Sequence, residues 1–272
     1  MTSMVRRGKL FSVYKLPGFT FIALACFFML YAPIIILVGY SFNSGNSLAL
    51  WEGFSSRWYY SAWENDAVQR AALLSLIIAL QAALYSTILA TMAALGTTRT
   101  RPFRGQTVIY TMINQPLMVP EIVTAVALLI CFAVIKQATD YQGLTYLVIS
   151  HTAFCIPFAY LPIRARLEDM DRSLEIAAAD LYATPWRCFR RVTLPLLWPG
   201  ILAGAMLAFV ISLDDVVITE FVKAPGQDTL PTFMLGQMRR VLSPEMNAIA
   251  SALLAVSVIL VSLIFLLNRK KS

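Results

Sequence analysis

Long apolar stretches are the feature that most constrains the fold of this chain. A helix rises about 1.5 Å per residue, so about 20 consecutive apolar residues cross the roughly 30 Å hydrocarbon core of a bilayer. Hydrophobic residues make up 58% of the 272 residues and charged residues only 14%, unlike a soluble domain. We therefore predict an all-α integral membrane protein, a single transmembrane domain over 1–272, with spans at about 18–40, 68–95, 106–135, 144–163, 199–222 and 245–267.

The basic residues are distributed unequally between the two sides of these spans. The N-terminus, the loop between spans 2 and 3, the segment 164–198 and the C-terminus together hold sixteen of the 22 Lys and Arg residues. The positive-inside rule places this side in the cytoplasm, so we expect both termini there. The net charge of +7 therefore reflects membrane topology, and we expect no nucleic-acid partner.

Several kinds of enzyme chemistry are missing from the sequence. There is no G-x-x-x-x-G-K-[ST] motif to cradle a nucleotide phosphate, so ATP hydrolysis would need a separate subunit. With His151 as the only histidine and four scattered cysteines, we expect no metal site, cofactor, His-based triad or disulfide framework. A lone histidine within a span is typically packed or hydrogen-bonded, although a gating or proton-relay role stays open. We predict a transport subunit, not an enzyme.

The segment 164–198, between the fourth and fifth spans, carries a recognisable pattern. Ala177 and Ala178 are followed at a fixed spacing by Leu194 and Pro195. This pattern resembles the EAA loop of ABC importer permeases, E-A-A-x-x-x-G followed after nine residues by I-x-L-P. In that family the loop forms short coupling helices that dock on the ATPase, so the resemblance implies cytoplasmic coupling helices here.

Two positions depart from the family pattern. Ile176 stands where the family has Glu, and Tyr182 stands where it has Gly. A left-handed residue commonly ends a helix, and a side chain there costs on the order of 1 kcal/mol, so Tyr182 predicts either a different turn or strain. Glu175 replaces the missing charge in part, from a position rotated about 100° around the helix. An interfacial amphipathic loop is the alternative.

Further matches occur in the same order along the chain and resemble the permease subunits of spermidine/putrescine importers. They are Y-A-P at 31–33, Y-S-F-N at 40–43, P-L-M-V-P-E at 116–121, S-L-D-D-V-V at 212–217, P-G at 225–226, T-L-P at 229–231 and S-P-E at 243–245. The resemblance implies a MetI-like type I importer fold in the bacterial inner membrane and a polyamine substrate. It also implies a second homologous permease, two ATP-binding subunits and a soluble substrate-binding protein as partners, besides membrane lipid.

Three carboxylates fall inside the predicted spans: Glu121, Asp214 and Asp215. A carboxylate at membrane depth costs about 2.5–3.5 kcal/mol on insertion scales, so it normally faces a watery cavity or a partner. Counted from the ends of their spans at about 1.5 Å per residue, the three reach a similar depth. A polyamine would neutralise such a cluster. We predict that they contact the substrate, and the resemblance adds Ser212.

Which of Asp214 and Asp215 faces the pathway stays open in the sequence. Adjacent residues on a helix point about 100° apart, so we expect only one of the two to face the pathway. The alternative is that one pairs with an Arg or a helix end of a partner permease.

Pro116 and Pro120 predict an interruption of the third span next to Glu121. Proline lacks a backbone donor and clashes with the preceding turn, and broken helices mark many transporter pathways. We therefore expect an irregular backbone where the acidic residue lies.

Trp51 follows the first span, where the resemblance implies a substrate contact. A Trp face attracts ammonium groups by roughly 0.5–2 kcal/mol. Trp58, Tyr59, Tyr60 and Trp63 follow closely, and we assign most of these aromatic residues to a belt at the membrane interface.

Two alternatives to polyamine import remain at this point. The same architecture could carry another cation, an amino acid or a metal chelate. A protein of a different class would be a structural or regulatory membrane subunit without a conducting path.

Overall fold

Six helices of the computed structural model are long and apolar enough to cross a membrane, which confirms the predicted number of spans. The structure describes residues 18–47, 50–101, 103–240 and 243–269, without the side chains of 19 and 263–269, so the terminal basic clusters lie almost wholly outside it. The described residues contain no β-strand, as an all-α fold requires. The helices are α1 Phe19–Tyr40, α2 Arg57–Glu64, α3 Asp66–Thr98, α4 Gln106–Met118, α5 Glu121–Thr139, α6 Leu144–Asp169, α7 Ser173–Asp180, α8 Pro185–Cys188, α9 Leu194–Asp214, α10 Val217–Val222, α11 Leu230–Met238 and α12 Pro244–Arg269.

The structure divides the predicted third span, 106–135, into α4 and α5. Val119 is extended, with φ −100° and ψ 137°, because a residue that precedes proline is pushed out of the helical region. Helix α4 continues through Pro116. The interruption therefore occurs at Pro120 and not over the whole stretch between the two prolines, and only α5 has the length and hydropathy of a membrane span.

The predicted fifth span, 199–222, also differs from the structure at both ends. Its continuous helix starts earlier, at Pro185, and passes through a π-helical turn at Phe189–Thr193 into α9. It stops at Asp214, where Asp215 is extended with φ −64° and ψ 131°, and the short helix α10 follows. Apolar residues resume at Val216, directly after Asp214 and Asp215, so hydropathy averaged over a window does not reveal the break.

Helices α3, α6 and α9 pack against one another at the centre of the bundle. The buried face of α3 is built mainly from small residues at helical spacing, because small side chains let helix backbones approach closely in a membrane. Larger side chains of α6, such as Tyr160 and Ile163, fill the remaining space. The small buried residues of α3 are Ala71, Ser75, Ala79, Ala82, Ala83, Ser86, Thr87, Ala90 and Ala94.

Helix α1 lies outside this centre. It contacts α12, yet none of the most apolar part of α1 is buried within the chain. A helix that is apolar all round needs an apolar environment, so α1 is positioned to face lipid or another membrane helix.

Gly204 sets the approach of α9 to α6, and its replacement is a direct test of this packing. A Cβ atom at Gly204 would lie 2.7 Å from the backbone oxygen of Ala159. We expect Gly204→Ala to force the helices apart and to destabilise the fold by about 1–3 kcal/mol. Thermal unfolding in detergent should show a Tm lowered by roughly 3–10 °C.

Gly96→Ala is the matched control, since nothing lies within 4 Å of a Cβ atom there. Its Tm should stay the same or rise slightly, because alanine is the better helix former. Equal effects of the two substitutions would contradict the packing described here.

Candidate functional site

The two helix interruptions bring the three predicted carboxylates together. Glu121 is the first residue of α5, directly after Pro120, while Asp214 ends α9 and Asp215 follows it. The carboxyl group of Glu121 neighbours that of Asp215. A carboxylate in the first turn of a helix is stabilised by the unpaired N–H groups and the dipole there. The breaks thus provide backbone donors at the depth where acidic side chains lie.

A cavity of about 430 Å³ is lined by all three carboxylates. Phe154 and Phe158 of α6 lie on its wall, and the remaining lining residues are aliphatic: Val210, Ile211, Val216 and Val217. The lining contains no Lys or Arg. The cavity therefore combines an acidic level with apolar walls, an arrangement that fits a cation carried on a hydrocarbon chain.

Asp215 is buried and its acceptors are largely used within the chain. Its carboxylate accepts hydrogen bonds from the backbone N–H groups of Ile218 at 3.3 Å and Thr219 at 2.9 Å, and from the Thr219 hydroxyl at 2.8 Å. These bonds satisfy donors at the start of α10 that have no partner within the helix. Asp215 therefore stabilises the break, in addition to lining the cavity.

Asp214 has the opposite environment. Its side chain is exposed, and it forms no hydrogen bond or ion pair with any residue that the structure describes. Lys223, for comparison, pairs with Glu220 at 2.6 Å and Asp228 at 2.7 Å. Burial lowers the pKa of Lys223, but its bonds to these two carboxylates outweigh burial and raise the pKa above its usual value. Asp214 thus lines the cavity with an exposed carboxylate that has no hydrogen-bond or ion-pair partner among the described residues.

Ser212 lies behind the cavity wall. It is buried, and its hydroxyl oxygen is 2.8 Å from Nδ1 of His151. On the other side of the ring, Nε2 lies 2.9 Å from the Thr219 hydroxyl and 3.5 Å from a carboxylate oxygen of Asp215. Direct contact of Ser212 with substrate stays a prediction, since Ser212 is not among the residues that line the cavity.

Trp51 is half-exposed and lies away from the three carboxylates. Its ring meets Tyr40 edge to face at 6.0 Å. The loop that carries it is ordered by the buried Asn43, whose amide donates to the Leu50 carbonyl at 2.7 Å and accepts from the Glu52 N–H at 2.9 Å. The structure therefore does not bring Trp51 into the acidic cavity within this chain.

A second and larger cleft, of about 710 Å³, is almost wholly apolar. It lies between α2, α3, α11 and α12, and residues such as Trp63, Leu230 and Leu253 line it. Its lining contains no charged group, and its chemistry suits a lipid chain or an apolar helix.

The polar segment after α6 is held to the end of α3 by charged contacts. Glu175 of α7 forms an ion pair with Arg99 at 3.1 Å and accepts a hydrogen bond from the Thr193 hydroxyl at 3.0 Å. Arg172 donates to the Thr98 carbonyl at 2.6 Å. Glu175, predicted to replace part of the missing charge, thus has a specific partner in Arg99. Its carboxylate connects α7 to the end of α3 and to the start of α9.

The turn after α7 keeps the geometry of a glycine turn although it contains a tyrosine. Tyr182 has φ 57°, its N–H bonds to the Ala179 carbonyl at 2.9 Å, and the Ala183 N–H bonds to the Ala178 carbonyl at 3.0 Å. This pair of bonds defines a Schellman motif, in which the left-handed position favours glycine. Of the two outcomes expected for Tyr182, the structure therefore shows the strained one.

The surface beyond this turn is apolar and exposed. Tyr182 is 95% exposed, and Ile176, Leu181 and Trp186 are also largely exposed. Large exposed apolar residues grouped on a polar segment indicate a surface that another molecule covers. The other positions of the predicted motif lie on the same segment: Ala177 and Pro195 are exposed, and Ala178 and Leu194 are partly buried.

Comparison with known proteins decides the family. Residues 86–272 match the family described as binding-protein-dependent transport system inner membrane component. The chain is 40% identical over 245 residues to the putrescine transport system permease protein PotI of Escherichia coli strain K12, covering 89% of this chain and 84% of the relative. It is 36% identical over 248 residues to the spermidine/putrescine transport system permease protein PotC of the same strain, covering 91% and 92%.

The chain belongs to this family of permease subunits. Solved structures agree at the level of the fold. A bacterial ABC transporter that imports the acidic polysaccharide alginate gives a TM-score of 0.69 at 16% identity over 92% of the permease and 94% of that chain. The MetNI methionine ABC transporter gives 0.60 at 17% identity, over 75% and 95%. The permease is therefore a multi-pass inner membrane protein with the architecture of ABC importers.

Sequence reasoning missed how the residues around Asp215 are connected. His151 was expected to be packed or hydrogen-bonded, and the structure identifies its partners as Ser212 and Thr219. Nothing in the sequence indicated a role for Thr219 or Arg99. A threonine four residues after an acid and an arginine at the end of a span are ordinary in a membrane helix. Only the folded permease brings α10 beside α6 and Glu175 of α7 beside Arg99 at the end of α3.

Tyr182→Gly tests the strain in the turn after α7. Glycine has no Cβ penalty in the left-handed region, so we expect the Schellman motif to gain about 1 kcal/mol. Hydrogen exchange of the amides at 182 and 183 should slow by about fivefold. Tyr182→Ala is the control, because it removes the ring and keeps the strain. If both variants slow exchange equally, the ring and not the backbone limits the stability of the turn.

Proposed function

We propose that this chain is one permease subunit of an ATP-driven, binding-protein-dependent importer that moves polyamines into the cytoplasm. The observation that carries the proposal is Asp214, an exposed carboxylate without a partner among the described residues, in an acidic cavity between two broken helices. A polyamine has protonated amines at intervals along a flexible hydrocarbon chain. Asp214 and Glu121 would hold the amines, and the Phe and aliphatic walls would contact the methylene groups.

The names of the relatives support this choice of cargo. The putrescine permease is 40% identical to this chain over 89% of its length, and the spermidine/putrescine permease is 36% identical over 91%. Asp215, with its bonds to α10, would add charge to the cavity without losing its structural role. Attraction at several weak points suits a transporter, since a substrate bound too tightly is not released.

We place the segment 164–198 and both termini in the cytoplasm, in agreement with the excess of basic residues on that side. The exposed surface around Tyr182 and Trp186 would then dock on one of two ATP-binding subunits. A second homologous permease would complete the pathway, with the exposed α1 at or near their contact, and a soluble substrate-binding protein would deliver the polyamine from outside. Closure of the ATPases would move α7 and open the cavity outward by alternating access.

Uptake measurements with the complete set of partners test the cargo most directly. Labelled putrescine or spermidine should enter, and unlabelled polyamines should compete. If amino acids or metal chelates compete and polyamines do not, the architecture stands and the cargo is wrong. If the assembled complex moves none of these solutes, a structural or regulatory role replaces transport.

Asp214→Asn tests the proposed cation site. The substitution removes one charge and keeps the shape, so we expect the half-saturating polyamine concentration to rise at least tenfold, since a charge-assisted hydrogen bond is lost. Copurification of the permease with its partners should be unchanged, because Asp214 holds no other described residue. Glu64→Gln, which removes an exposed carboxylate at the end of α2, is the control. Similar uptake by the Asp214 variant and the control would remove Asp214 from the site.

Glu175→Ala tests the coupling segment. Loss of the contacts with Arg99 and Thr193 should loosen α7 by about 1 kcal/mol. We expect binding-protein-stimulated ATP hydrolysis to fall about fivefold while unstimulated hydrolysis changes little. Glu168→Ala is the matched control, because Glu168 pairs with Arg164 within α6 and links no two helices. Equal losses in both variants would mean that charge on this face, and not the tie between α7 and α3, supports coupling.

A further inference from the structure

We propose that His151 is a positioning residue for Asp215, acting through a directed chain of hydrogen bonds that fixes the break between α9 and α10. The expected effect on transport rests on the proposed function, because the same helix break directs the Asp214 side chain toward the acidic cavity. His151 lies on α6 and has about 1% of its side chain exposed. It does not line the cavity, so it acts on substrate only through the residues it holds.

His151 connects the two sides of the helix break. Its Nδ1 atom is 2.8 Å from the hydroxyl of Ser212, in the last turn of α9, and its Nε2 atom is 2.9 Å from the hydroxyl of Thr219 on α10. Asp215 lies between these two residues in sequence, where the backbone is extended. One imidazole ring therefore sets the distance between the end of one helix and the start of the next.

The donor and the acceptor of each hydrogen bond can be identified in turn, starting with Asp215. An ionised carboxylate only accepts, so the Thr219 hydroxyl must donate to Asp215 across 2.8 Å. A hydroxyl has one proton, so the same oxygen must accept from His151, which places a proton on Nε2. In a neutral ring Nδ1 is then an acceptor, and Ser212 donates to it. The order of donation is Ser212, His151, Thr219, Asp215.

This chain explains why Asp215 and Asp214 have different surroundings. The bond from Thr219, together with the two backbone N–H groups at the start of α10, keeps the Asp215 carboxylate turned toward α10. The adjacent Asp214 is left to the cavity. Without the donor from His151 the Thr219 hydroxyl is free to rotate, and Asp215 loses the orientation that the break requires.

A spectroscopic measurement tests the order of hydrogen-bond donation without any substrate. His151 is the only histidine of the chain, so full-length protein labelled with ¹⁵N-histidine and purified on a histidine-free tag gives one imidazole. We expect the neutral form with the proton on Nε2. We also expect Thr219→Val, which removes the acceptor hydroxyl and keeps the branched shape, to shift the Nε2 signal while Thr219→Ser does not. A proton on Nδ1, or on both nitrogens, would overturn the proposal.

Transport kinetics of the complete complex test the effect on the site. The amide of Gln approaches the position of Nε2 and that of Asn the position of Nδ1, so His151→Gln keeps the donor to Thr219 and His151→Asn loses it. We expect His151→Asn and Thr219→Val to raise the half-saturating polyamine concentration about tenfold, with a smaller change in maximal rate. His151→Gln and Thr219→Ser should remain within about threefold of the unsubstituted protein. Copurification with the partners confirms assembly for each variant.

The outcomes are distinct. A purely structural histidine predicts equal damage from His151→Asn and His151→Gln, or from Thr219→Val and Thr219→Ser, and either result would overturn the proposal. Unchanged half-saturation in both the Asn and Val variants would overturn it as well. Failure of the unsubstituted complex to carry any polyamine would instead refute the proposed function, and the tautomer of His151 would still decide the proposal made here.

Discussion

The hydrogen bonds of Asp215 are the interaction on which the rest of the site depends. A break between two helices within a membrane leaves C=O groups without partners where the first helix ends and N–H groups without partners where the second begins. Each such group costs free energy unless it finds another hydrogen-bond partner. Asp215 accepts from two of these N–H groups and from the Thr219 hydroxyl, so the break between α9 and α10 is stable where lipid would forbid it. Because the break exists, Asp214 ends a helix and faces a cavity.

Helix α9 connects the acidic cavity at one of its ends to the polar segment at the other. The helical segment is continuous from Pro185 to Asp214, so one run of helix connects α8 to the residues that line the cavity. Glu175 ties α7 to this helical segment and to the end of α3. A displacement of α7 by an ATPase would therefore reach the carboxylates through packed helices, with α3, α6 and α9 moving as the central group. Within this group, the absence of a side chain at Gly204 allows the close contact between α9 and α6.

Much of the fold could be predicted from sequence because membrane insertion is governed by local composition. Six apolar stretches gave six spans, and the spacing of Ala177, Ala178, Leu194 and Pro195 located the polar segment. The prediction for Tyr182 also succeeded in part, since left-handed backbone at a helix end is a local property. Helix rise predicted a similar depth for Glu121 and Asp214, and the two residues line one cavity. The break after Asp214 could not be predicted, because an apolar run continues on both sides of it.

The sequence by itself determined the membrane class, the number of spans and the presence of three carboxylates within the predicted spans, since these depend on which residues follow one another. Tertiary structure decided which aspartate side chain, Asp214 or Asp215, has no hydrogen-bond partner among the described residues. That choice rests on contacts between residues 61 and 68 positions apart, in which His151 meets Ser212 and Thr219. It also decided that Glu175 pairs with Arg99 from the end of α3. Such partners are selected by helix packing, and no local pattern in the chain specifies them.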